Sequence, residues 1–562
     1  MLNEWSALTG MEEGMRRTLV ALASSVLMTT AFTTPAVAVP TGGGAPSPLV
    51  HNEKMRCDEG SPLCAEPAES IGYDGRYTGH DEPAVVFYSN RAGSATNQRY
   101  ELTVPQDSLI PPRQDGKGGT FNFQTRIAFW FGLALCDNQS APEFTHAPCA
   151  AGSDANIFDG ADPAAPGYIG RHPGTAFLEL QFYPPGWAPF QNAISCDATK
   201  WCAAMAIFSL NQDSNTGVSN NAACLAAVGV EPSNFAFIAK NGVPHAPVAP
   251  LSQSAATFTP DPARDLFMRG GDRVTISIHD SPAGLVTSLT DRTTGQSGSM
   301  TASVANGFSQ VNYEPTATTC SQSPYAFHPM YSTSSEHTRV PWAAHSYNVA
   351  FSDEIGHFEY CANVAANGTC AADPTDPGSP DADDTNCHRP DESLRIRIGG
   401  CIGSDTDFDG PSYQATWPGT NPNPIVDRLF HPRSVLFSSP TFNGGRNFER
   451  AGFEADMPRI EAADFGGTCV RTTGANCVNP PPGAAFYPLF STRADGESGC
   501  LWQLGGTHIP GTVNTFGGSS TTEFGPLLFL DYAAAGFTSI HITNDFRRVL
   551  PANPCAQGHR PG

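Results

Sequence analysis

Glycine or proline interrupts almost every window of fifteen residues in this chain, and that interruption decides most of what it can fold into. The 562 residues include 55 glycines and 49 prolines. Proline inside a helix removes a backbone donor and clashes with the preceding turn, and glycine costs about 1 kcal/mol there relative to alanine. Long helices are therefore excluded, and helical spacing is confined to a short stretch around residues 221–228. Between the breaks lie short runs rich in β-branched and aromatic residues: AVVFY at 84–88, RYELTV at 99–104, TFNFQ at 120–124, IAFWF at 127–131, AFLELQF at 176–182 and FAFIA at 235–239. RVTISI at 273–278 alternates apolar and polar, which predicts one buried and one wet face. Gly284-Leu285 and Thr294-Gly295 are hairpin signals. Many strands joined by turns, with no helical crossovers, predict a mainly β chain, an antiparallel sandwich or jelly roll.

The N-terminal region reads as an export signal. Arg16 and Arg17 precede an apolar stretch from Thr18 to about Phe32, and Ala36-Val37-Ala38 forms a small-residue cleavage site. The apolar run is shorter than the roughly 20 residues a membrane span needs. Glu4, Glu12 and Glu13 do not suit a signal peptide, so translation is expected to start at Met15 rather than Met1. Cleavage after Ala38 gives a secreted mature protein. Sixteen cysteines agree with an oxidising compartment and predict disulfides. Close pairs are Cys57/Cys64, Cys136/Cys149, Cys196/Cys202 and Cys469/Cys477, with Cys361/Cys370 and Cys387/Cys401 as two more. Cys224, Cys320, Cys500 and Cys555 are left for longer closures, and no CxxC spacing favours zinc.

The length exceeds one ordinary domain. After residues 1–38, a Cys-containing segment over 39–80 is expected to precede a β-sandwich over 81–365. An acidic, Pro-rich linker or loop (AADPTDPGSPDADDTN at its centre) covers 366–392, and a second, smaller β-rich domain covers 393–562. A formal charge of −23 excludes partners that select basic patches, namely nucleic acid and anionic membrane surfaces. It suits a neutral or cationic partner such as a polysaccharide or cell-surface glycan.

Three constellations carry candidate chemistry. Asp405, Asp407 and Asp409 alternate before Gly410, a spacing at which three carboxylates wrap a hard cation such as calcium. Position twelve is Thr416 rather than Glu, so this is not an EF-hand, and a structural calcium is expected. The polar cluster from His328 to Glu359 contains Trp342, His345, Asp353, His357 and Glu359. On a strand, His357 and Glu359 share a face about 6–7 Å apart, close enough for a general base and its orienting partner, or simply for the wet face of a strand. The third is GTAFLELQFYPPGW at 174–187, where Glu179 and Gln181 share one strand face opposite Leu178, Leu180 and Phe182. Tyr183 and Trp187 follow as aromatics on which sugar rings stack.

This last segment resembles the catalytic strand of the concanavalin A-like lectin and glucanase superfamily, whose pattern is E-x-D-x-E or E-x-D-x-x-E. FWFG at 129–132 and GDRV at 271–274 resemble further strands of that sandwich. Glu179 aligns with the first Glu, while Gln181 stands in place of the Asp and Tyr183 in place of the final Glu. The resemblance spans about residues 80–365. It implies a glycoside hydrolase in which Glu179 is nucleophile or base. The family's second catalytic carboxylate is missing from this strand, so its double displacement does not carry over. Another strand must supply the acid, for which Glu359, tuned by His357, or Asp353 are the candidates, with Gln181, Tyr183, Trp187, Trp342 and His345 expected to line the sugar cleft. The substituted second carboxylate leaves open a non-catalytic, lectin-like alternative. Glutamic peptidases use the same type of sandwich with a Glu and a Gln, which adds peptide hydrolysis.

Overall fold

The computed structural model describes residues 84–106, 109–110, 129–137, 139, 151–152, 175–183, 196–197, 199–209, 211, 218–229, 231–334, 342–345, 359–360, 398–399, 407–408, 423–430, 433, 435–457, 459–460, 490–493, 500–504, 527–534, 537–550 and 552–556. Two large sheets dominate. The first has ten strands. Its order is β24 (Leu527–Ala534), β25 (Phe537–Val549), β20 (Arg450–Met457), β1 (Ala84–Tyr88), β13 (Trp342–His345), β3 (Phe129–Cys136), β4 (Thr175–Tyr183), β5 (Lys200–Phe208) and β6 (Ser233–Phe237). β7 (Phe267–Arg269) also pairs with β5. The second has nine strands. It runs β10 (Ser297–Thr301), β9 (Val286–Asp291), β8 (Arg273–His279), β2 (Asn97–Thr103), β17 (Leu436–Phe437), β23 (Leu501–Leu504) and β22 (Phe490–Arg493). β18 (Thr441–Phe442) joins β2, and β19 (Arg446–Asn447) joins β18. The pairings within both sheets are antiparallel.

Three two-stranded ladders stand apart: β11 (Ser309–Val311) with β12 (Gln322–Pro324), β14 (Glu359–Tyr360) with β15 (Ile398–Gly399), and the parallel pair β16 (Asp407–Phe408) with β21 (Arg459–Ile460). The described helices are short, Ala222–Val228 and Pro424–Phe430, as the glycine and proline spacing requires. None among the described residues is long and apolar enough to cross a membrane.

One core cluster lies between the sheets. It takes Val85, Phe87, Phe131, Leu178, Leu180 and Met205 from the first sheet, and Tyr100, Leu102, Ile276, Leu289 and Trp502 from the second. Aromatic rings make the junction. Tyr100 on β2 packs against Phe131 on β3 at 4.8 Å between centroids, and Phe87 on β1 meets Trp502 on β23 edge-on at 5.5 Å. In the second sheet β2, β9 and β10 alternate simply, because their other face meets water. In β2, Gln98, Tyr100 and Leu102 are buried while Asn97, Arg99 and Glu101 are exposed. The first sheet departs from that rule, since β3, β6 and all but the ends of β5 are buried on both faces.

The expected separation of a second β-rich domain over 393–562 is not the way the strands pair. β20 pairs with β1, and β17 pairs with β2, so residues from beyond 435 complete both sheets. Val435, Phe437, Phe442, Phe448 and Trp502 belong to the same core cluster as Val85 and Ile276. These apolar residues bury their surface in the one core rather than building another. The cysteine pattern is met where it is described. Cys196–Cys202 closes locally, and Cys224–Cys320 and Cys500–Cys555 are longer closures. Cys136 is also disulfide-bonded, and no described cysteine is free.

Candidate functional site

The outer face of β4 carries the most unusual chemistry. Alternation sends Ala176, Leu178, Leu180 and Phe182 into the core, leaving Phe177, Glu179, Gln181 and Tyr183 on the other side. That side is not wet. Glu179 is 4% exposed, and Gln181 and Tyr183 are 1% each. The cover includes a second apolar cluster containing Tyr183, Cys196, Cys202, Ala204, Ala206, Phe235, Phe237 and Phe267, with Phe208 and Phe258 packed against it.

A carboxylate and an amide in such surroundings must find hydrogen bonds or pay a large desolvation cost. They find each other. The Gln181 Nε2 amide donates to Glu179 Oε2, and the Tyr183 hydroxyl donates to Gln181 Oε1. The strand repeat of two makes this chain possible, because residues i, i+2 and i+4 stand side by side on one face. Burial, reinforced by the nearby charge of Glu179, holds the Tyr183 phenol well above its ordinary range, which keeps its proton in place for the bond to Gln181.

Ladder register supplies the neighbours. Glu179 stands between Gly132 on β3 and Ala206 on β5. Gln181 stands between Trp130 and Ala204. A side chain at Gly132 would collide with the Leu178 carbonyl oxygen and with the Trp130 ring, so the indole leans across the glycine directly beside Glu179. Glu179 is thus flanked by two small residues, with Trp130 at one end and Phe235 next beyond Ala206 in the same row. Trp130 and Gly132 were visible in the sequence as strand residues. Nothing in the sequence placed them against Glu179, because the β3–β4 pairing is made in three dimensions.

The structure treats the remaining expected residues differently. His345 stands opposite Trp130, one strand beyond it in the Gln181 row. Trp342 pairs with the core residue Phe87, so it falls in the alternate set of rows and not in those of Glu179 and Gln181. Tyr183 is buried as a hydrogen-bond donor rather than displayed as a platform. Glu359 pairs with Gly399 in the separate β14–β15 ladder, and strand pairing does not bring it to Glu179. His328, at the start of the polar cluster, holds its Nδ1 2.8 Å from Asp280 Oδ1. Asp407 pairs with Arg459 in the β16–β21 ladder. Asp353, His357, Trp187, Asp405 and Asp409 lie outside the described residues. Among the described residues, no group of three or more His, Cys, Asp or Glu is arranged around a metal position.

The fold and this strand define a disulfide-bonded, mainly β protein with a buried Glu–Gln–Tyr chain on the outer face of its larger sheet. No protein family and no curated protein sequence matches the chain. Among solved structures, the crystal structure of scytalido-glutamic peptidase with a peptide-based transition-state analogue is similar over 66% of this chain and 82% of its own. Identity is 9% and the TM-score 0.18, a level that carries no inference.

Proposed function

We propose that the chain is a secreted hydrolase of amide bonds, with Glu179 as general base and Gln181 as the group that polarises the substrate carbonyl. The observation that carries it is the Gln181 amide bonded to the Glu179 carboxylate on a dry strand face. A carboxamide nitrogen has two N–H bonds. One meets Glu179, and in the proposed reaction the other meets an oxygen of the substrate. In the proposed reaction Glu179, ionised, takes a proton from water as the water oxygen attacks the scissile carbonyl carbon. The electron pair of the C=O bond moves onto oxygen, where the second N–H of Gln181 meets it. Glu179 then returns the proton to the leaving nitrogen as the C–N bond breaks, yielding an acid and an amine. The sandwich carrying this pair is of the concanavalin A-like, jelly-roll type. Export is supported by the signal-like N-terminus and the disulfides.

The test is cleavage of an unfolded protein substrate by the oxidised mature chain, in the presence of serine, cysteine and metal-chelating inhibitors. Cleavage that persists, and that disappears in Glu179→Gln, supports the assignment. Equal cleavage by wild type and Glu179→Gln refutes it.

A glycan-active reading, hydrolytic or lectin-like, rests on the likeness of the Glu179 strand to the concanavalin A-like pattern, because the Trp130 indole beside Glu179 is itself fully buried. Hydrolysis would require Glu359 within about 5–5.5 Å of Glu179 for retention, or about 6.5–9.5 Å for inversion. Incubation with soluble and insoluble polysaccharides separates the two forms. Released oligosaccharides indicate a glycosidase, and pull-down without products indicates a binding protein.

A further inference from the structure

From the packing around β4 we infer that Tyr183 is a positioning residue, whose hydroxyl fixes the Gln181 side-chain amide in the one orientation that presents N–H groups to Glu179 and to a substrate carbonyl. This rests on the amide-hydrolysis reading and deepens it. An amide is chemically two-faced: rotation by half a turn exchanges a donor for an acceptor. Rotated, Gln181 would aim its oxygen at the Glu179 carboxylate, and the oxyanion would lose its donor. The Glu179 carboxylate can only accept, and the Tyr183 hydroxyl donates to Oε1, so the useful orientation is held from both ends, with Tyr183 fixing the end that Glu179 does not reach.

The ring is clamped. It packs edge-on against Phe235 at 6.1 Å and Phe237 at 6.3 Å between centroids. Cys202 is its ladder partner on β5, and the Cys196 sulfur of the same disulfide lies 3.3 Å from its carbonyl oxygen. At 1% exposure the ring is packed among these side chains rather than displayed at the surface. The phenol stays protonated across any ordinary working pH, because burial and the Glu179 charge both oppose its ionisation.

The experiment compares the oxidised mature wild type with Glu179→Gln and Tyr183→Phe on an unfolded protein substrate and a fluorogenic peptide library. The Gln181 side-chain amide is followed by NMR in glutamine-labelled protein, its resonance assigned by its loss in Gln181→Met. Tyr183→Phe is expected to lower kcat about tenfold to a hundredfold with KM within about threefold, since small misplacements of a reacting group cost that much. The Gln181 amide resonance should shift at the same time. A Tyr183→Phe variant that keeps wild-type kcat while Glu179→Gln is inactive overturns the positioning role and leaves the hydrolase reading standing. No Glu179-dependent cleavage at all overturns the hydrolase reading. The amide resonance then still judges the contact: a shift in Tyr183→Phe upholds the orienting hydrogen bond, and an unmoved resonance overturns it. A purely structural phenol would lower the melting temperature without changing kcat per folded molecule.

Discussion

Replacing Gln181 by methionine tests the buried chain without any knowledge of substrate. Methionine nearly matches glutamine in shape, so the cavity contribution is small and the loss is polar. The exchange withdraws the amide donor from Glu179 and the acceptor from the Tyr183 hydroxyl. Leaving a buried polar group without its partner costs about 1–3 kcal/mol, and more when it is charged. Exposures of 4% for Glu179 and 1% for Tyr183 leave bulk water little access to substitute. The expected destabilisation is therefore about 3–5 kcal/mol. Tyr183→Phe alone removes one neutral hydrogen bond and should cost about 1–2 kcal/mol. The double variant is the decisive one. It contains no Tyr183 hydroxyl to orphan, so it should be no less stable than Gln181→Met alone. Urea titrations with a common m-value give the three free energies. If the double variant loses the sum of the single losses to within about 0.5 kcal/mol, the two side chains are uncoupled and the chain has no energetic meaning.

Three further outcomes are expected. Tyr100 and Tyr183 are both held above the ordinary phenol pKa of 10.0 by burial, so each favours the folded state unchanged below that value. Above it the unfolded chain ionises first, and stability should fall by about 0.7 kcal/mol per phenol between pH 9.5 and 10.5, steepening toward about 1.4 kcal/mol per pH unit beyond; urea titrations at pH 9.5 and 10.5 measure the fall, and equal midpoints would contradict it. Removing the Cys224–Cys320 bond, which spans 96 residues, should cost about 4–5 kcal/mol, against about 2 kcal/mol for Cys196–Cys202, which spans 6. Paired serine variants would overturn this loop-entropy ordering if the two losses were equal. A chelator should lower the melting temperature by several degrees if Asp405, Asp407 and Asp409 hold calcium, and should have no effect on a triple Asn variant; identical wild-type melting with and without chelator removes the metal.

Much of the class was legible in the chain itself. Glycine and proline spacing forbids long helices, and the alternation of 273–278 reappears as β8, with Val274, Ile276 and Ile278 in the core. The pairing of Cys196 with Cys202 was readable because six residues of chain leave little choice of partner. The side-by-side placement of Glu179, Gln181 and Tyr183 followed from the strand period alone, since that relation is local. The dryness of their face was not readable. Strand alternation predicts which residues share a side, but only the packing of Phe235, Phe237 and Phe267 decides that the side is buried.

Strand partners are the larger part of what tertiary structure decided. The sequence marks 84–88 as extended; nothing local makes that run a neighbour of 450–457 across more than 360 residues of chain. That pairing is set by the shared need of Val85, Phe87 and Ala451 to leave water in one core, and it merges two expected domains into the same pair of sheets. The same logic places Trp130 and Gly132 against Glu179, while Glu359 pairs with Gly399 in a ladder of its own. A strand's own residues fix its two faces; what lies beside and above those faces is fixed by contacts between residues that the chain keeps far apart.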